Sequence, residues 1–294
     1  MHDGPVPPPP GPEGPGGGGA SAPQRATPAR GVLEVRTPGR VPYAEALALQ
    51  ERLVAERRAG RAPDTLLLLE HPPVITLGTG SAPGHVLVGA EERARLGVEL
   101  FETGRGGDVT YHGPGQLVGY PILDLKPDRR DLHRYLRDLE EALIRTVARF
   151  GVRAWREEGL TGVWTDAGKV AAIGVRVSSG WITSHGFALN VDPDLSHFGW
   201  IVPCGIADRA VASLAGLVGR PVPVAEVAPV AARELADVFG LRPRQAPGPE
   251  TGVPSPSGPS SPSAPSTPSA PSAPSTPSSP SADSSPFRGG SHSR

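Results

Sequence analysis

The chain has 294 residues and a formal net charge of −1 at pH 7, with 29 lysine and arginine residues against 30 aspartate and glutamate residues. A balance this close to neutral leaves no electrostatic footprint for nucleic acid or for an anionic membrane surface. No run of about eighteen apolar residues occurs, so the sequence predicts no membrane-spanning helix. The one cysteine, Cys204, excludes an intramolecular disulfide and a multi-cysteine metal site, which favours a reducing, cytoplasmic setting.

Composition divides the chain into three parts. Residues 1–30 are rich in proline, glycine and alanine and lack the apolar segment of a secretory signal, and residues 246–294 repeat serine and proline. Both tails bury too little to offset the entropy of folding, so we expect them to be disordered. Residues 31–245 carry nearly all the aliphatic and aromatic side chains, and this length fits one domain with a sizeable core.

Strand and helix patterns are mixed irregularly along residues 31–245. In chain order, we predict strands at 32–36, 66–69, 74–77, 117–123, 152–155 and 161–164, a hairpin with arms 169–177 and 181–191, and helices at 42–58, 131–150 and 226–239. The second helix has the clearest signal, because leucines recur at spacings of three and four between an N-cap at Asp131 and a stop at Gly151. Strands with helices set between them predict a mixed sheet with helices packed on it, an α+β or α/β domain.

The Gly-rich stretch 104–116 is the most unusual part of the sequence. It holds five glycines and one proline in thirteen residues, too much backbone freedom for a helix or a regular strand. Polar side chains are interleaved with these glycines, at Arg105, Thr110, Tyr111, His112 and Gln116. The alternatives are a substrate-cradling loop and a solvent-exposed turn. We favour the first, because loops that meet only solvent seldom combine these residue types so densely.

Two nucleotide-binding motifs are excluded by their spacing. The dinucleotide fingerprint G-x-G-x-x-G opens a helix, whereas Gly113, Gly115 and Gly119 are spaced one residue too widely and precede a strand pattern. The phosphate-binding loop ends in Gly-Lys followed by serine or threonine, whereas Lys169 is followed by Val170.

Cys204 lies between Pro203 and Gly205, which predicts a turn with backbone N–H groups available to a ligand. Its alternative roles are a nucleophile and a small buried hydrophobe. Lysine occurs only at Lys126 and Lys169, whereas arginine is frequent. Codon bias explains scarce lysine, but Lys169 opens an apolar strand, where lysine can exchange a proton and arginine cannot. Cys204 and Lys169 are therefore a candidate nucleophile and base.

Histidines are the competing partners of the cysteine. His112, His185 and Cys204 could form a zinc site, but no spacing such as H-x-x-x-H or C-x-x-C supports a metal. His71, beside two prolines, is interpreted as structural or as a pocket wall, and Asp108 as a loop cap rather than an acid.

Five blocks of this sequence together resemble the lipoyl(octanoyl) transferase family and follow that family's order. The blocks are Glu70–Val74, Arg105–Gln116, Gly168–Gly174, His185–Asn190 and Pro203–Gly205. The resemblance covers about residues 31–242 and leaves out both tails. Two positions depart from it: Ala172 stands where many members have serine, and Phe187 where leucine is common. Both substitutions keep backbone contacts available and alter the width of a pocket.

The resemblance implies a fold like that of biotin and lipoate protein ligase catalytic domains, a single α+β domain with a mixed sheet flanked by helices. It implies an enzyme that moves an octanoyl group from octanoyl-acyl carrier protein to a lysine of a lipoyl domain, the first step of endogenous lipoate biosynthesis. The implied acceptors are the lipoyl domains of 2-oxoacid dehydrogenases and the glycine cleavage H protein. Neither nucleic acid nor a membrane is an implied partner.

The resemblance also implies roles for individual residues. Cys204 would carry the acyl thioester, and Lys169 would lower the pKa of its thiol and shuttle protons. The residues implied to line the acyl pocket are Arg105, Gly106, Gly107, Asp108, Val109, Thr110, Tyr111, His112, Ala172, Ile173, Gly174, Gly186, Phe187 and Ala188. Because a thioester donor is already activated, we expect no ATP, metal or other cofactor.

Two rival functions remain open at the level of sequence. An ATP-dependent lipoate or biotin ligase on the same fold would need an adenylate site and no cysteine nucleophile. A non-enzymatic interaction protein would act through its Ser/Pro tail, so that deletion of residues 246–294 would abolish function and replacement of Cys204 would not.

Overall fold

The computed structural model describes residues 31–82, 84–126, 128–202 and 210–247. The predicted N-terminal tail, most of the predicted C-terminal tail and the candidate nucleophile Cys204 lie outside these residues. None of the helices in the described ranges combines the length and apolarity that crossing a bilayer requires.

The described residues form two β-sheets and five α-helices. The strands are β1 (Gly31–Arg40), β2 (Asp64–Glu70), β3 (Val74–Leu77), β4 (Glu99–Glu102), β5 (Thr110–His112), β6 (Gln116–Ile122), β7 (Trp155–Glu157), β8 (Leu160–Thr165), β9 (Gly168–Val177), β10 (Thr183–Asn190) and β11 (Leu241–Gln245). The helices are α1 (Tyr43–Arg58), α2 (Ala90–Leu96), α3 (Leu132–Ala148), α4 (Leu214–Val218) and α5 (Val224–Phe239), with a 3₁₀ helix at Leu195–Trp200.

The larger sheet has eight strands in the order β11-β1-β2-β6-β10-β9-β8-β7, and the smaller sheet has three in the order β4-β3-β5. In the larger sheet β11, β1 and β2 run parallel, while the pairings from β2 to β7 are antiparallel. The smaller sheet is also mixed, because β3 pairs with β4 in parallel and with β5 in antiparallel fashion. The predicted mixed sheet with flanking helices, an α+β fold, is confirmed.

Helices cover both faces of the larger sheet. Along β2, Leu66 and Leu68 belong to a core cluster with α3 and α5, while Leu67 and Leu69 belong to a second cluster with α1. Successive side chains of a strand point to opposite faces, so an unbroken leucine run is what a strand buried on both sides requires. This burial explains why Leu66–Leu69 reads as apolar throughout rather than as alternating.

The prediction of a strand at 152–155 is wrong for its first three residues, since β7 begins at Trp155. These residues instead follow the turn that ends α3. Gly151 adopts φ +80°, and the backbone N–H of Val152 donates to the carbonyl of Val147 at 3.2 Å. A left-handed glycine with such a bond is a common helix terminus, so this segment reverses direction before it can pair.

β4, β5, α2, α4 and β11 were not predicted from the sequence, whereas β3 coincides with the strand predicted at 74–77. The Gly-rich stretch also contains one short strand, β5, rather than loop alone. In β5, His112 pairs with Val74 and Tyr111 with Ile75 of β3, so the pairing partner lies well outside the stretch.

We expect loss of the N-cap of α3 to lower the free energy of unfolding by about 1 kcal/mol. The side chain of Asp131 accepts the backbone N–H of Arg134 at 3.0 Å, which satisfies one donor of the first turn. Asp131→Ala removes this acceptor, whereas Asp131→Asn keeps one. Urea denaturation of both variants measures the difference, and equal stabilities would contradict the assigned cap.

Candidate functional site

A cavity of about 400 Å³ lies between the Gly-rich stretch and strands β6, β8, β9 and β10. Most of the residues expected to form the site line it: residues 105–110, His112, Lys169, 172–174 and 186–188. They come from distant parts of the chain. The pairing of β9 with β10 brings residues 172–174 and 186–188 together, with Gly174 opposite Gly186, and a bond from Gly106 to Val175 adds the Gly-rich stretch.

Two of the expected site residues are not placed in the cavity wall. Cys204 lies outside the described residues. The described chain ends at Val202 before it and resumes at Ala210 after it. Tyr111 is buried on the other side of β5, where its hydroxyl forms a hydrogen bond with Nδ1 of His197 at 2.8 Å. Strand alternation explains this, because neighbours of Thr110 and His112 must point away from them.

The Gly-rich stretch is fixed to both sheets through Arg105 and Gly106. The buried guanidinium of Arg105 donates to the carbonyl of Thr76 on β3 at 2.7 Å and to its hydroxyl at 2.9 Å. The backbone N–H of Gly106 donates to the carbonyl of Val175 on β9 at 2.9 Å. The stretch therefore bridges the smaller and the larger sheet along one wall of the cavity.

Gly78 and Gly174 allow the backbone of the Gly-rich stretch to lie in contact with the backbone of neighbouring segments. A Cβ atom on Gly78 would lie 2.2 Å from the carbonyl oxygen of Gly107. A Cβ atom on Gly174 would lie 2.9 Å from the carbonyl oxygen of Gly106. Since both neighbours are backbone atoms, any side chain at these positions would displace the stretch.

Asp108 has the geometry of a loop cap. One carboxylate oxygen accepts the backbone N–H of Val109 at 2.6 Å, and the other is 2.6 Å from Nδ1 of His85. His85 in turn accepts the backbone N–H of Val202 at its carbonyl, at 2.9 Å. The pair thus ties the Gly-rich stretch to the end of the described chain before Cys204.

His71 lies behind the cavity and is fully buried. Its Nδ1 donates to the carbonyl of Val41 at 2.7 Å, and the hydroxyl of Tyr120 donates to its Nε2 at 2.7 Å. Burial lowers the pKa of His71 to about 4, so the ring is neutral. Both nitrogens are used inside the protein, which agrees with the structural interpretation of this residue.

Two further neutral histidines line the cavity. Burial, with a smaller effect of the His71 ring, lowers the pKa of His112 to about 3. Burial and the positive charge of Arg105 lower the pKa of His185 to about 4. His185 also has φ +54° in the middle of β10, and its buried Nδ1 has no hydrogen-bond partner among the described residues. A left-handed residue inside a strand costs of order 1–3 kcal/mol, so the surrounding pairings hold it there.

Lys169 lies at the start of β9 and contributes to the cavity wall. Its Nζ lies 5.1 Å from the ring centroid of Trp164, and its stem runs over Gly162, where a Cβ atom would be 2.5 Å from Cε of Lys169. Its backbone is bonded on both sides: its N–H donates to the carbonyl of Ala210 at 2.9 Å, and its carbonyl accepts from Ala212 at 3.0 Å. The described chain therefore resumes after Cys204 directly beside Lys169.

Sequence reasoning missed several residues of the cavity wall. Leu136 belongs to the leucine pattern that predicted the second helix, and Tyr43 lies at the start of a helix with no further signal. Asn190 is the last residue of the block His185–Asn190, so the resemblance could have predicted its position in the cavity wall.

Across the described part of the chain, no group of three or more histidine, cysteine, aspartate or glutamate side chains is arranged to hold a metal ion. His112 and His185 both line the cavity, but the third member of the zinc alternative, Cys204, lies outside those residues. The cavity wall is mostly apolar, with aliphatic and aromatic side chains beside the neutral His112 and His185, and it carries charge at Arg105, Asp108 and Lys169. Such a wall suits a largely apolar ligand with a polar reacting end.

We expect the free energy of unfolding to fall as pH falls from about 6.5 to about 4. The unfolded chain protonates histidine near pH 6.5, whereas burial holds the folded pKa of His71, His112 and His185 at about 4, 3 and 4. In this window the unfolded state binds more protons, so acid favours unfolding. Urea denaturation at a series of pH values measures the slope.

His71→Gln is the matched variant for this slope. It removes one of the three titrating groups and should make the pH dependence shallower, whatever it does to stability at pH 7.5. An unchanged slope in the variant would show that His71 is protonated alike in both states.

Three comparisons with known proteins agree with this geometry. The family model for the lipoyl protein ligase A/B catalytic domain matches residues 42–236. An octanoyltransferase of Rubrobacter xylanophilus is 56% identical over 200 residues, which cover 67% of this chain and 90% of that protein. An octanoyltransferase of Chloroflexus aurantiacus is 51% identical over 214 residues, which cover 72% of this chain and 96% of that protein.

Solved structures support the same fold. A crystal structure of lipoate-protein ligase A bound with ATP matches with a TM-score of 0.59 at 20% identity, over 74% of this chain and 88% of that one. Protein Ta0514, a putative lipoate protein ligase from T. acidophilum with bound lipoic acid, matches with a TM-score of 0.56 at 16% identity, over 74% and 88%. At these identities the likeness concerns the fold alone. The family match and the close relatives show more: the chain belongs to the lipoyl protein ligase A/B catalytic domain family, among its octanoyltransferases, and is an acyltransferase.

Proposed function

We propose that this enzyme transfers an octanoyl group from octanoyl-acyl carrier protein to a lysine of a lipoyl domain through a thioester on Cys204. This would be the first step of endogenous lipoate biosynthesis. The observation that carries the proposal is the position of Lys169 in the wall of a largely apolar cavity, beside the point where the described chain resumes after Cys204. We infer that the acyl group is octanoyl from the relatives named octanoyltransferase.

The cavity is suited to an eight-carbon acyl chain. Its wall includes Ile173, Phe187, Ala188 and Leu136, and at about 400 Å³ it falls within the usual range for small-molecule sites. Residues 172–174 and 186–188 lie opposite each other on the paired strands β9 and β10, so the two segments border the cavity side by side. We propose these residues, with residues 105–112, as the acyl-binding residues.

Acyl transfer would proceed in two balanced steps. The neutral amine of Lys169 takes the thiol proton of Cys204, and the thiolate attacks the donor's thioester carbonyl. The phosphopantetheine thiolate leaves and takes that proton from Lys169, so one thioester replaces another. The amine of the acceptor lysine then attacks the acyl-Cys204 carbonyl, and Lys169 takes a proton from that amine. The C–S bond breaks, the Cys204 thiolate takes that proton from Lys169, and an amide and the free thiol result. Amide formation drives the second step, so no nucleotide is consumed.

We propose lipoyl domains of 2-oxoacid dehydrogenases and the glycine cleavage H protein as acceptors, and the cytoplasm as the setting. The cytoplasm keeps thiols reduced, which suits a nucleophile that must be a free thiol in every cycle. We propose that backbone N–H groups of the Gly-rich stretch that do not bond within the protein, unlike those of Gly106 and Val109, hold the oxyanion of each tetrahedral intermediate.

We expect wild-type enzyme incubated with octanoyl-acyl carrier protein, without ATP, to gain one octanoyl group that hydroxylamine removes. Cys204→Ser should gain no such adduct, because an ester on serine resists mild hydroxylamine treatment and the thiol nucleophile is gone. Intact-mass spectrometry measures both. A hydroxylamine-labile adduct on the serine variant would refute Cys204 as the acyl carrier, and an absolute need for ATP would support the ligase alternative.

We expect Lys169→Arg to slow acylation of Cys204 nearly as much as Lys169→Ala does. Guanidinium keeps its proton, with a pKa above about 12, so charge is retained and proton transfer is lost. Loss of general acid–base catalysis typically costs roughly a hundredfold to ten-thousandfold in rate. Single-turnover acylation across pH measures the effect, with recovery expected as rising pH generates thiolate directly.

The melting behaviour of the arginine variant must match that of the wild type, because arginine is bulkier and the stem of Lys169 packs over Gly162. An arginine variant that acylates rapidly at neutral pH would leave Lys169 a purely electrostatic role.

A further inference from the structure

The side chain of Lys169 lies over two residues of the neighbouring strand β8, Gly162 and Trp164. Its Nζ is 5.1 Å from the centre of the Trp164 ring, within the range of a cation–π contact. A Cβ atom on Gly162 would lie 2.5 Å from Cε and 3.2 Å from Nζ of Lys169. The lysine stem therefore occupies the space that a side chain at position 162 would fill. We call Gly162 and Trp164 the lysine seat.

An irregularity in the pairing of β8 with β9 aims Lys169 at this seat. Val163 pairs with Ala171, so a regular antiparallel ladder would place Trp164 opposite Val170. The register shifts at this point, and Trp164 pairs with Lys169 instead. Residues directly opposite each other in an antiparallel pair have side chains on the same face, and bulges that re-aim a side chain are frequent beside active sites. The shift thus brings the two side chains together at the cavity wall, which both of them line.

Gly162 is itself held by a buried carboxylate that the proposed reaction does not use. Oε1 of Glu140, on α3, accepts the backbone N–H of Gly162 at 3.0 Å. Oε2 accepts from Nη1 of Arg137 at 2.7 Å and lies 3.2 Å from Nε of Arg156. The side chain of Glu140 is fully buried, and burying a carboxylate is costly unless it is paired and hydrogen-bonded in this way. The two arginines therefore stabilise the charge of the group that fixes one side of the lysine seat.

We propose that Trp164, Gly162 and Glu140 are positioning residues for Lys169, which hold its Nζ at one place on the cavity wall. The inference rests on the proposed function, in which Lys169 accepts and returns a proton. Lysine has a flexible four-carbon stem, and proton transfer requires its amine within hydrogen-bond reach of the reacting group. The seat restricts the stem before substrate binds. The face of the ring also attracts the ammonium that exists between the two proton transfers.

A rival role for Trp164 is contact with the acyl chain, because its ring lines the cavity. The two roles differ in what they predict when Lys169 is absent. A residue that acts through Lys169 loses its effect in that background, whereas a residue that contacts the acyl chain keeps it. The observations favour action through Lys169. The register shift, the missing side chain at Gly162 and the bond from Glu140 all concern the position of Lys169.

The first test reads the position of Lys169 directly, by NMR of the full-length protein labelled with ¹³C-lysine. The chain contains two lysines, so Lys126, whose side chain is 41% exposed, is the internal reference. Protons held over the face of an aromatic ring are shifted upfield. The ε-CH₂ protons of Lys169 should thus lie upfield of those of Lys126. Trp164→Leu should abolish this shift, and Trp164→Phe should retain part of it. Random-coil shifts for both lysines in the wild type would overturn the inference.

The same signal tests the role of Glu140. Glu140→Met removes the acceptor of the Gly162 N–H and should move the Lys169 signal toward its random-coil position. Glu140→Gln keeps an acceptor oxygen and should preserve most of the upfield shift. Glu141→Met is the matched control on the same helix, because the carboxylate of Glu141 bonds to arginines in the described part of the chain and not to Gly162. A Lys169 signal that Glu140→Met leaves in place, or that Glu141→Met moves as far, would overturn the role of Glu140.

The second test asks whether Trp164 acts on the reaction through Lys169. In otherwise wild-type enzyme, Trp164→Leu should slow single-turnover acylation by octanoyl-acyl carrier protein about tenfold, the rate equivalent of one cation–π contact. Trp164→Phe, which keeps a ring, should recover part of the rate. In the Lys169→Ala background, Trp164→Leu should have little further effect. Equal slowing in both backgrounds would overturn the inference and assign Trp164 to the acyl chain instead.

Failure of the proposed function has a different signature. If wild-type enzyme gains no octanoyl group at all, the role of Lys169 in acyl transfer falls, and the comparison of rates falls with it. The NMR comparison needs no turnover. It would still decide whether the lysine seat and Glu140 fix the position of Lys169.

Discussion

The cavity exists because the Gly-rich stretch is clamped between two sheets by contacts that tolerate no side chain. Arg105 ties the stretch to Thr76 of the smaller sheet, and Gly106 ties it to Val175 of the larger one. Gly78 and Gly174 allow the backbones to meet at distances that exclude a Cβ atom. Every other feature of the site depends on this clamp, since it places His112 and residues 105–110 opposite β9 and β10.

Desolvation gives the site its chemical character. Burial keeps His71, His112 and His185 neutral across physiological pH, so they act as uncharged groups rather than as proton carriers. In the proposed reaction the proton traffic is thereby confined to Cys204 and Lys169. The mostly apolar wall also suits an acyl chain, because burying apolar surface away from water is favourable.

Local patterns predicted those parts of the fold that depend on local physics. The spacing of leucines and the cap at Asp131 located α3, and the two apolar arms located the pairing of β9 with β10. The residues of the site were predicted through the resemblance of their blocks. The chemistry of Cys204 and Lys169 was argued from their residue types, although Cys204 lies outside the described residues.

Features that depend on distant partners escaped the sequence analysis. β11 contains Pro243 and no alternation, and it becomes a strand only because β1 offers an edge on which a proline is tolerated. β5 is a strand because β3 pairs with it, and that pairing turns Tyr111 away from the cavity that its neighbours face. Hydrogen bonds through Gln116 link His112 to Asn190 and Ala212, about eighty and a hundred residues away.

The pairing of β1 with β11 has a consequence for synthesis on the ribosome. β1 can pair with β2 early in synthesis, because Leu33 pairs with Asp64. The other edge of β1 stays unpaired until Leu241, which pairs with Gly31, has been synthesised. Until then a nascent chain carries an open parallel edge, and such edges recruit strands from other chains. Incomplete translation products that stop before β11 should thus be the aggregation-prone species of this protein, and chaperones that shield strand edges should matter most during that interval.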